Sequence, residues 1–308
     1  MDTGEEQVKE IHPLILKENM KNENSLLYWI RAARPGTWLV SISPVLIGTA
    51  IAISMNSYST RYTLAIMLAS LLIQIGTNLA NDYYDGLKGA DEHRVGPRRL
   101  SQDANISLTS VRVGFIGVLG LAAIIGIALV YRGGWPILAI GVSSLFFAVF
   151  YTKGRFALAY TGLADLICFL YFGPIAVAGT AYLHTLTWSK EAFILGCIPG
   201  ALSVAILTVN NIRDRASDAK VNKRSLVVRF GKGFGLAEYS LAHIASILCL
   251  FWAGLYYSLL WAPVSLYLII QVHHERALNT VLKQTAIFLF LICLSLSMNI
   301  LAIYVSNA

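Results

Sequence analysis

Apolar and polar positions fall in long blocks along this chain. Nine apolar runs stand out, at residues 38–54, 62–80, 113–131, 135–152, 163–183, 192–211, 236–254, 256–272 and 285–305. Each approaches the roughly 20 residues that a helix needs to cross the hydrocarbon core of a bilayer. Residues 236–272 are almost continuously apolar, too long for one crossing, so a bend is expected near Gly254. The pattern predicts an all-α polytopic membrane protein: a polar segment over residues 1–30, then a bundle of nine transmembrane helices over residues 31–308. Residues 1–30 mix acids and lysines and lack the apolar stretch of a cleavable signal.

Charge orients this pattern. With the N-terminus in the cytoplasm, 21 of the 24 Lys and Arg residues fall on the cytoplasmic side, and only Arg61, Arg132 and Lys190 fall outside. Such a bias follows the positive-inside rule and predicts the C-terminus outside, in a plasma (inner) membrane. Composition agrees, with 56% hydrophobic residues and 13% charged, about half the charge of a soluble domain. The net charge of +7 follows from basic residues beside membrane spans, where anionic lipid attracts them, and implies no nucleic-acid partner. Cys168, Cys197, Cys249 and Cys293 each sit inside an apolar run and are read as small core hydrophobes.

Two long loops remain between the runs, 81–112 and 212–235, and both carry acids beside bases. The first cluster includes Asn78, Asn81, Asp82, Asp85 and Asp91. On a helix Asn78, Asp82 and Asp85 share a face, as do Asn81 and Asp85. The second contains Asn210, Asn211, Asp214 and Asp218, again an amide and two carboxylates at three- and four-residue spacing. An isolated acidic cluster is ordinarily a solvated surface. A matched pair at helix ends on one membrane side is different, because opposed carboxylates repel unless a cation joins them. Such hard oxygens suit Mg²⁺, which is typically held by one or two carboxylates plus substrate phosphates.

Basic residues accompany both clusters: Arg98 and Arg99 after the first, Lys223 and Arg224 after the second, and Lys153 and Arg155 beside Tyr151 at the end of the fourth run. They can hold phosphate oxygens or a substrate carboxylate, although positive-inside topology alone also accounts for each. Asp165 fits either a substrate-facing role or a helix start. His273-His274-Glu275 lacks the i, i+4 spacing of helical zinc ligands and reads as a polar turn.

The stretches Arg34-Pro-Gly-Thr-Trp38, Thr77-Asn-Leu-Ala-Asn-Asp-Tyr-Tyr-Asp85, Gly96-Pro-Arg-Arg99, Asn210-Asn-Ile-Arg-Asp214 and Lys223-Arg-Ser-Leu-Val-Val-Arg229 resemble those of UbiA-type intramembrane prenyltransferases. Within that superfamily the chain is most similar to the 1,4-dihydroxy-2-naphthoate polyprenyltransferases of menaquinone biosynthesis. The resemblance implies that Asn81, Asp85, Asp214 and Asp218 hold Mg²⁺ and a polyprenyl diphosphate, with Asp82 and Asp91 assisting. Where many members carry a third acid, this chain has Gly89, and Asp91 is the next acid. The implied reaction is ionisation of the allylic diphosphate and capture of the cation by the aromatic ring, with loss of the ring carboxylate as CO₂. Lys153 or Arg155, or else Arg98 or Arg224, is expected to hold that carboxylate. Tyr83, Tyr84, Tyr151 and Tyr171 are candidates to shelter the cation. A 6-naphthoate isomer, homogentisate or 4-hydroxybenzoate stays open as acceptor. An ion-coupled transporter is the reading from another class, disfavoured because the acids cluster at one membrane side and not at the midplane.

Overall fold

The structure, a computed structural model, describes residues 25–88, 100, 106–154, 157–254, 260–274 and 277–307. Those residues form only helices and connections. In chain order the helices are α1 (Ser25–Ala32), α2 (Trp38–Ser54), α3 (Thr60–Leu87), α4 (Leu108–Phe150), α5 (Leu158–Thr161), α6 (Ala164–Tyr171), α7 (Pro174–Thr185), α8 (Lys190–Lys220), α9 (Leu226–Phe230), α10 (Lys232–Trp252), α11 (Ala262–His273) and α12 (Leu278–Asn307), with a short 3₁₀ turn at Pro35–Thr37 between α1 and α2.

Seven helical segments are long and apolar enough to cross a membrane, with α4 counted once; α11 has the apolar character but only 12 residues. At about 1.5 Å per residue, the 43 residues of α4 would reach about 65 Å, twice the hydrocarbon thickness. It is broken at Gly134, whose φ of 69° and ψ of −156° are not helical, and Pro136 follows in the next turn. The runs 113–131 and 135–152 are the two halves of this kinked element. The run 163–183 is interrupted in a way its hydropathy does not announce: α6 ends at Tyr171, and α7 begins at Pro174, after Gly173. The expected bend near Gly254 is present, since α10 stops at Trp252 and Gly254 has a φ of 72°.

Two helices outrun their apolar stretches at the polar end of the bundle. The apolar run 62–80 continues as α3 to Leu87, so Asn81, Asp82 and Asp85 stand on the helix itself. The run 192–211 continues as α8 to Lys220, carrying Asp214 and Asp218. In both cases the acids occupy helical positions, so the spacing read from sequence becomes a geometric fact.

α8 is the central element, packed by α2, α6, α7, α10 and α12. The α6–α7 break lies against it backbone to backbone: a Cβ added at Gly196 would come within 2.6 Å of Pro174 Cα, and one at Gly200 within 2.6 Å of the Phe169 carbonyl. Gly196→Ala is therefore expected to destabilise the bundle by about 1–3 kcal/mol. Gly117→Ala, where nothing lies within 4 Å of the added Cβ, should be close to neutral. Thermal unfolding of the two variants in detergent tests this, and equal midpoints would refute the close-approach account. On α4 the exposed side chains Val113, Ile116, Leu121, Ile124, Ile127 and Tyr131 recur at helical spacing. This is an apolar outer face of the kind that lipid covers.

Candidate active site

The polar ends of α3 and α8 meet at the head of one cavity of about 710 Å³. Asn78, Asn81, Asp82 and Asp85 are buried on α3 and line it, as do Asn210 and Asn211 on α8. Away from this polar head the walls are mostly apolar or small, with Val45, Ala122, Gly126, Ile137, Phe172 and Leu183 among them. Asp214 and Asp218 are also buried, but they sit behind Arg213 and Lys223, which do line the cavity.

Tyr151, the C-cap of α4, lines the same cavity. The two Asn–Asp clusters, far apart in sequence, thus come to one cavity head through Asn81 and Asp85 of α3 and Asn210 and Asn211 of α8.

Cations neutralise most of this negative charge. Arg34 Nη2 lies 2.5 Å from Asp82 Oδ1, Arg34 Nη1 donates to Asn78 Oδ1 at 3.4 Å, and the Leu100 amide donates to Asp82 Oδ2 at 3.3 Å. Arg34 itself has a left-handed backbone with φ of 49°, uncommon for a residue bearing a side chain. Arg213 grips Asp214 with two bonds of 2.7 Å, reaches Asn210 Oδ1 at 2.6 Å and Asn279 Oδ1 on α12 at 2.7 Å. Lys223 Nζ is 3.3 Å from Asp218 Oδ1. Thr152 donates to the Asn81 side-chain carbonyl, and Asn78 donates to Thr37 Oγ1 at 3.1 Å. Lys88, just past α3, donates to the Thr152 carbonyl at 2.8 Å and lies 4.0 Å from the Tyr160 ring centroid. Burial lowers its pKa; Asp85 opposes that and Lys223 adds to it.

The donor set fits a divalent cation with oxygen ligands. Asp218 Oδ2 is buried without a hydrogen-bond partner among the described residues, an oxygen left over for a ligand. Among the described residues no three acids, histidines or cysteines form a ready-made metal cluster. Mg²⁺ is usually held by one or two carboxylates per ion and completed by phosphate and water.

The remaining sequence candidates divide. Lys153 is exposed and off the cavity, 5.4 Å from the Phe150 ring centroid and 6.0 Å from that of Tyr84. Arg224 is also exposed and off the cavity, with its carbonyl accepting a bond from Arg229. Tyr83 and Tyr84 pack on Phe115, away from the cavity, whereas Tyr171 lines it. Asp91, Arg98, Arg99 and Arg155 lie outside the described residues. Asp165 is buried in the first turn of α6, does not line the cavity, and has no hydrogen-bond partner among the described residues on either carboxylate oxygen.

Sequence reasoning did not single out the roles of Arg34, Thr152 and Lys88, which depend on tertiary partners, or of Arg213, whose local bonds to Asp214 and Asn210 are joined by a distant one to Asn279. The cavity also has a side window: Ile127, Leu138 and Val142 line it and are 65%, 50% and 59% exposed, on the two halves of α4 that flank the Gly134 kink.

A helical, lipid-faced bundle that gathers Asn and Asp at the polar head of an apolar cavity defines a membrane-embedded site for an amphiphilic anion. The chain belongs to the UbiA prenyltransferase family, whose model matches residues 41–294. It is 35% identical over 207 residues to the 1,4-dihydroxy-2-naphthoate octaprenyltransferase of Mycobacterium tuberculosis, covering 67% of this chain and 71% of that one. It is 31% identical over 229 residues to the Escherichia coli protein of the same name, covering 72% and 74%. Its fold is similar to that of a UbiA homolog from Archaeoglobus fulgidus bound to DMAPP and Mg²⁺, with TM-score 0.63, 14% identity, and coverage of 90% of this chain and 99% of that one.

Proposed function

We propose that this protein transfers a polyprenyl group from an allylic diphosphate to 1,4-dihydroxy-2-naphthoate. The products are CO₂, diphosphate and demethylmenaquinol, a step of menaquinone biosynthesis. The observation that carries this reading is a cavity with Asn and Asp at its head and apolar walls below, in a chain related over most of its length to naphthoate prenyltransferases. A diphosphate belongs at the polar head and its hydrocarbon along the walls.

Asn81, Asp85, Asp214 and Asp218 are the residues that would hold Mg²⁺. The metal, when bound, supplies positive charge to the departing diphosphate. The chain's own cations do related work. Arg34, Arg213 and Lys223 each neutralise a carboxylate. Were Asp214 and Asp218 to hold metal, Arg213 and Lys223 would be at hand for diphosphate oxygens, where charge grows as the allylic bond breaks. The apolar walls keep water from the allylic cation, and the ring carbon of the acceptor then captures it. The lining rings of Tyr151 and Tyr171 offer π faces to that cation.

The proposed topology has nine crossings, with α4 counted twice across Gly134 and α11 as the shortest. The N-terminus and the active site face the cytoplasm, because the basic residues gather there. The test is a panel of aromatic acids incubated with one allylic diphosphate and purified protein, analysed by mass. Prenylated naphthoquinol with CO₂ release is expected. Product from 4-hydroxybenzoate or homogentisate alone would overturn the acceptor assignment.

A further inference from the structure

We infer that Lys283 binds the carboxylate of the aromatic acceptor. This inference rests on the function proposed above. Lys283 lies in α12, and it is the one charged residue in that 30-residue helix. Sequence reading put it in the loop before a run starting at 285; the helix instead begins at Leu278 and takes it in. Charged groups inside membrane helices face bundle interiors or watery cavities and tend to serve function. Lys283 lines the cavity together with its neighbour Leu282.

Among the described residues, its lack of a partner is what separates it from the other lining cations. Arg34 is engaged by Asp82, Arg213 by Asp214 and Lys223 by Asp218, and Arg31 lies 6.0 Å from the Tyr28 ring centroid at the mouth formed by α1. Lys283 is exposed and, among the described residues, makes no hydrogen bond or ion pair. The three engaged cations sit beside the acids that would gather a metal–diphosphate. Lys283 has no acid to neutralise and offers an unmatched positive charge.

Its position suits the second substrate. Asn279, four residues earlier and on the same face of α12, accepts the 2.7 Å bond from Arg213. Lys283 is therefore one turn, about 5–6 Å, further along the helix from the Arg213–Asp214 pair and away from the polar end. An acceptor must place its ring beside the allylic carbon, which lies on the apolar side of the diphosphate. An anion on that ring enters a carboxylate-rich cavity and needs a cation there. Lys283 meets that need from the depth where the ring must lie. Of the two residues favoured from sequence, Lys153 lies off the cavity and Arg155 lies outside the described residues.

The test separates acceptor from donor and charge from shape. Steady-state kinetics are compared for wild type, Lys283→Gln and Lys283→Arg, with each substrate varied in turn. Inhibition by unreactive 1-hydroxy-2-naphthoate and by uncharged 1-naphthol is measured alongside. Lys283→Gln is expected to weaken acceptor use and naphthoate inhibition by at least about 30-fold. Inhibition by 1-naphthol and the diphosphate KM should stay within about threefold, and Lys283→Arg should recover much of the loss. A variant that raises only the diphosphate KM, or weakens both inhibitors equally, would overturn the assignment. If the wild-type protein makes no prenylated naphthoquinol at all, it is the proposed function that fails. Naphthoate and naphthol binding by the wild type and Lys283→Gln, followed by calorimetry, then still decides the role of Lys283.

Discussion

Asp85→Asn and Asp214→Asn are each expected to slow turnover by about 10²–10³-fold, the scale seen when one preorganised group that stabilises developing charge is removed. The amide keeps the shape of the side chain and discards the charge that a divalent ion needs. Asp85 is buried at the cavity head on α3, and Asp214 is its counterpart on α8, held by Arg213. Because the two stand on different helices, the losses should appear in both variants. Each should be partly offset by raising Mg²⁺ if the defect lies in metal capture. Product formation across a Mg²⁺ titration measures this, with thermal midpoints confirming that both variants are folded. Near-normal rates at low Mg²⁺ for either variant would remove that residue from the proposed ligand set.

Arg34→Met should have the largest effect on stability, about 3–5 kcal/mol, the cost of breaking a buried ion pair from one side. Asp82 is 1% exposed, and the guanidinium stands 2.5 Å from it. Without that cation a carboxylate remains in a site that water barely reaches. The double variant Arg34→Met/Asp82→Asn should regain most of the lost stability. It removes the charge while an amide oxygen still accepts from the Leu100 amide, as Asp82 Oδ2 does now at 3.3 Å. Thermal unfolding of the two variants and the wild type decides the matter. A double variant no more stable than the single one would mean that Arg34 acts through packing alone.

The sequence carried the site's acids and not their partners, for a physical reason. Asn78, Asn81, Asp82 and Asp85 lie within two turns of one helix, so 3.6-residue periodicity determines their relation once a helix is assumed. The same holds for Asn210, Asp214 and Asp218. Arg213 meets its neighbour Asp214 on the same helix, but its reach to Asn279, and that of Arg34 to Asp82, depend on where the segment before α2, α3, α8 and α12 pass one another. Arg34 reaches Asp82 across 48 residues, and Arg213 reaches Asn279 across 66. No local pattern encodes such meetings. Lys283 had a visible signal, a single charge at the edge of an apolar run, but it was absorbed into the count of basic loop residues. The interruption at Gly173 was missed because hydropathy is blind to backbone breaks inside an apolar stretch. The bend near Gly254 was legible because a continuous apolar stretch of that length cannot cross a bilayer once.

The opening beside the Gly134 kink bears on how the enzyme parts with its product. In the proposed reaction the substrate is tethered by its diphosphate, whose charge keeps one end at the aqueous rim. Transfer severs that tether, and what remains is an oil with a small quinol at its tip. Each methylene exposed to water would cost about 0.8 kcal/mol, so escape through the polar rim is closed to a long chain. A gap walled by Ile127, Leu138 and Val142 offers a sideways route at no such cost. Discharge then becomes a partition between two oils, one inside the protein and one outside. The length of tail the enzyme tolerates need not be bounded by 710 Å³ of protein interior, since the surplus can trail into the lipid while the head is still being worked on.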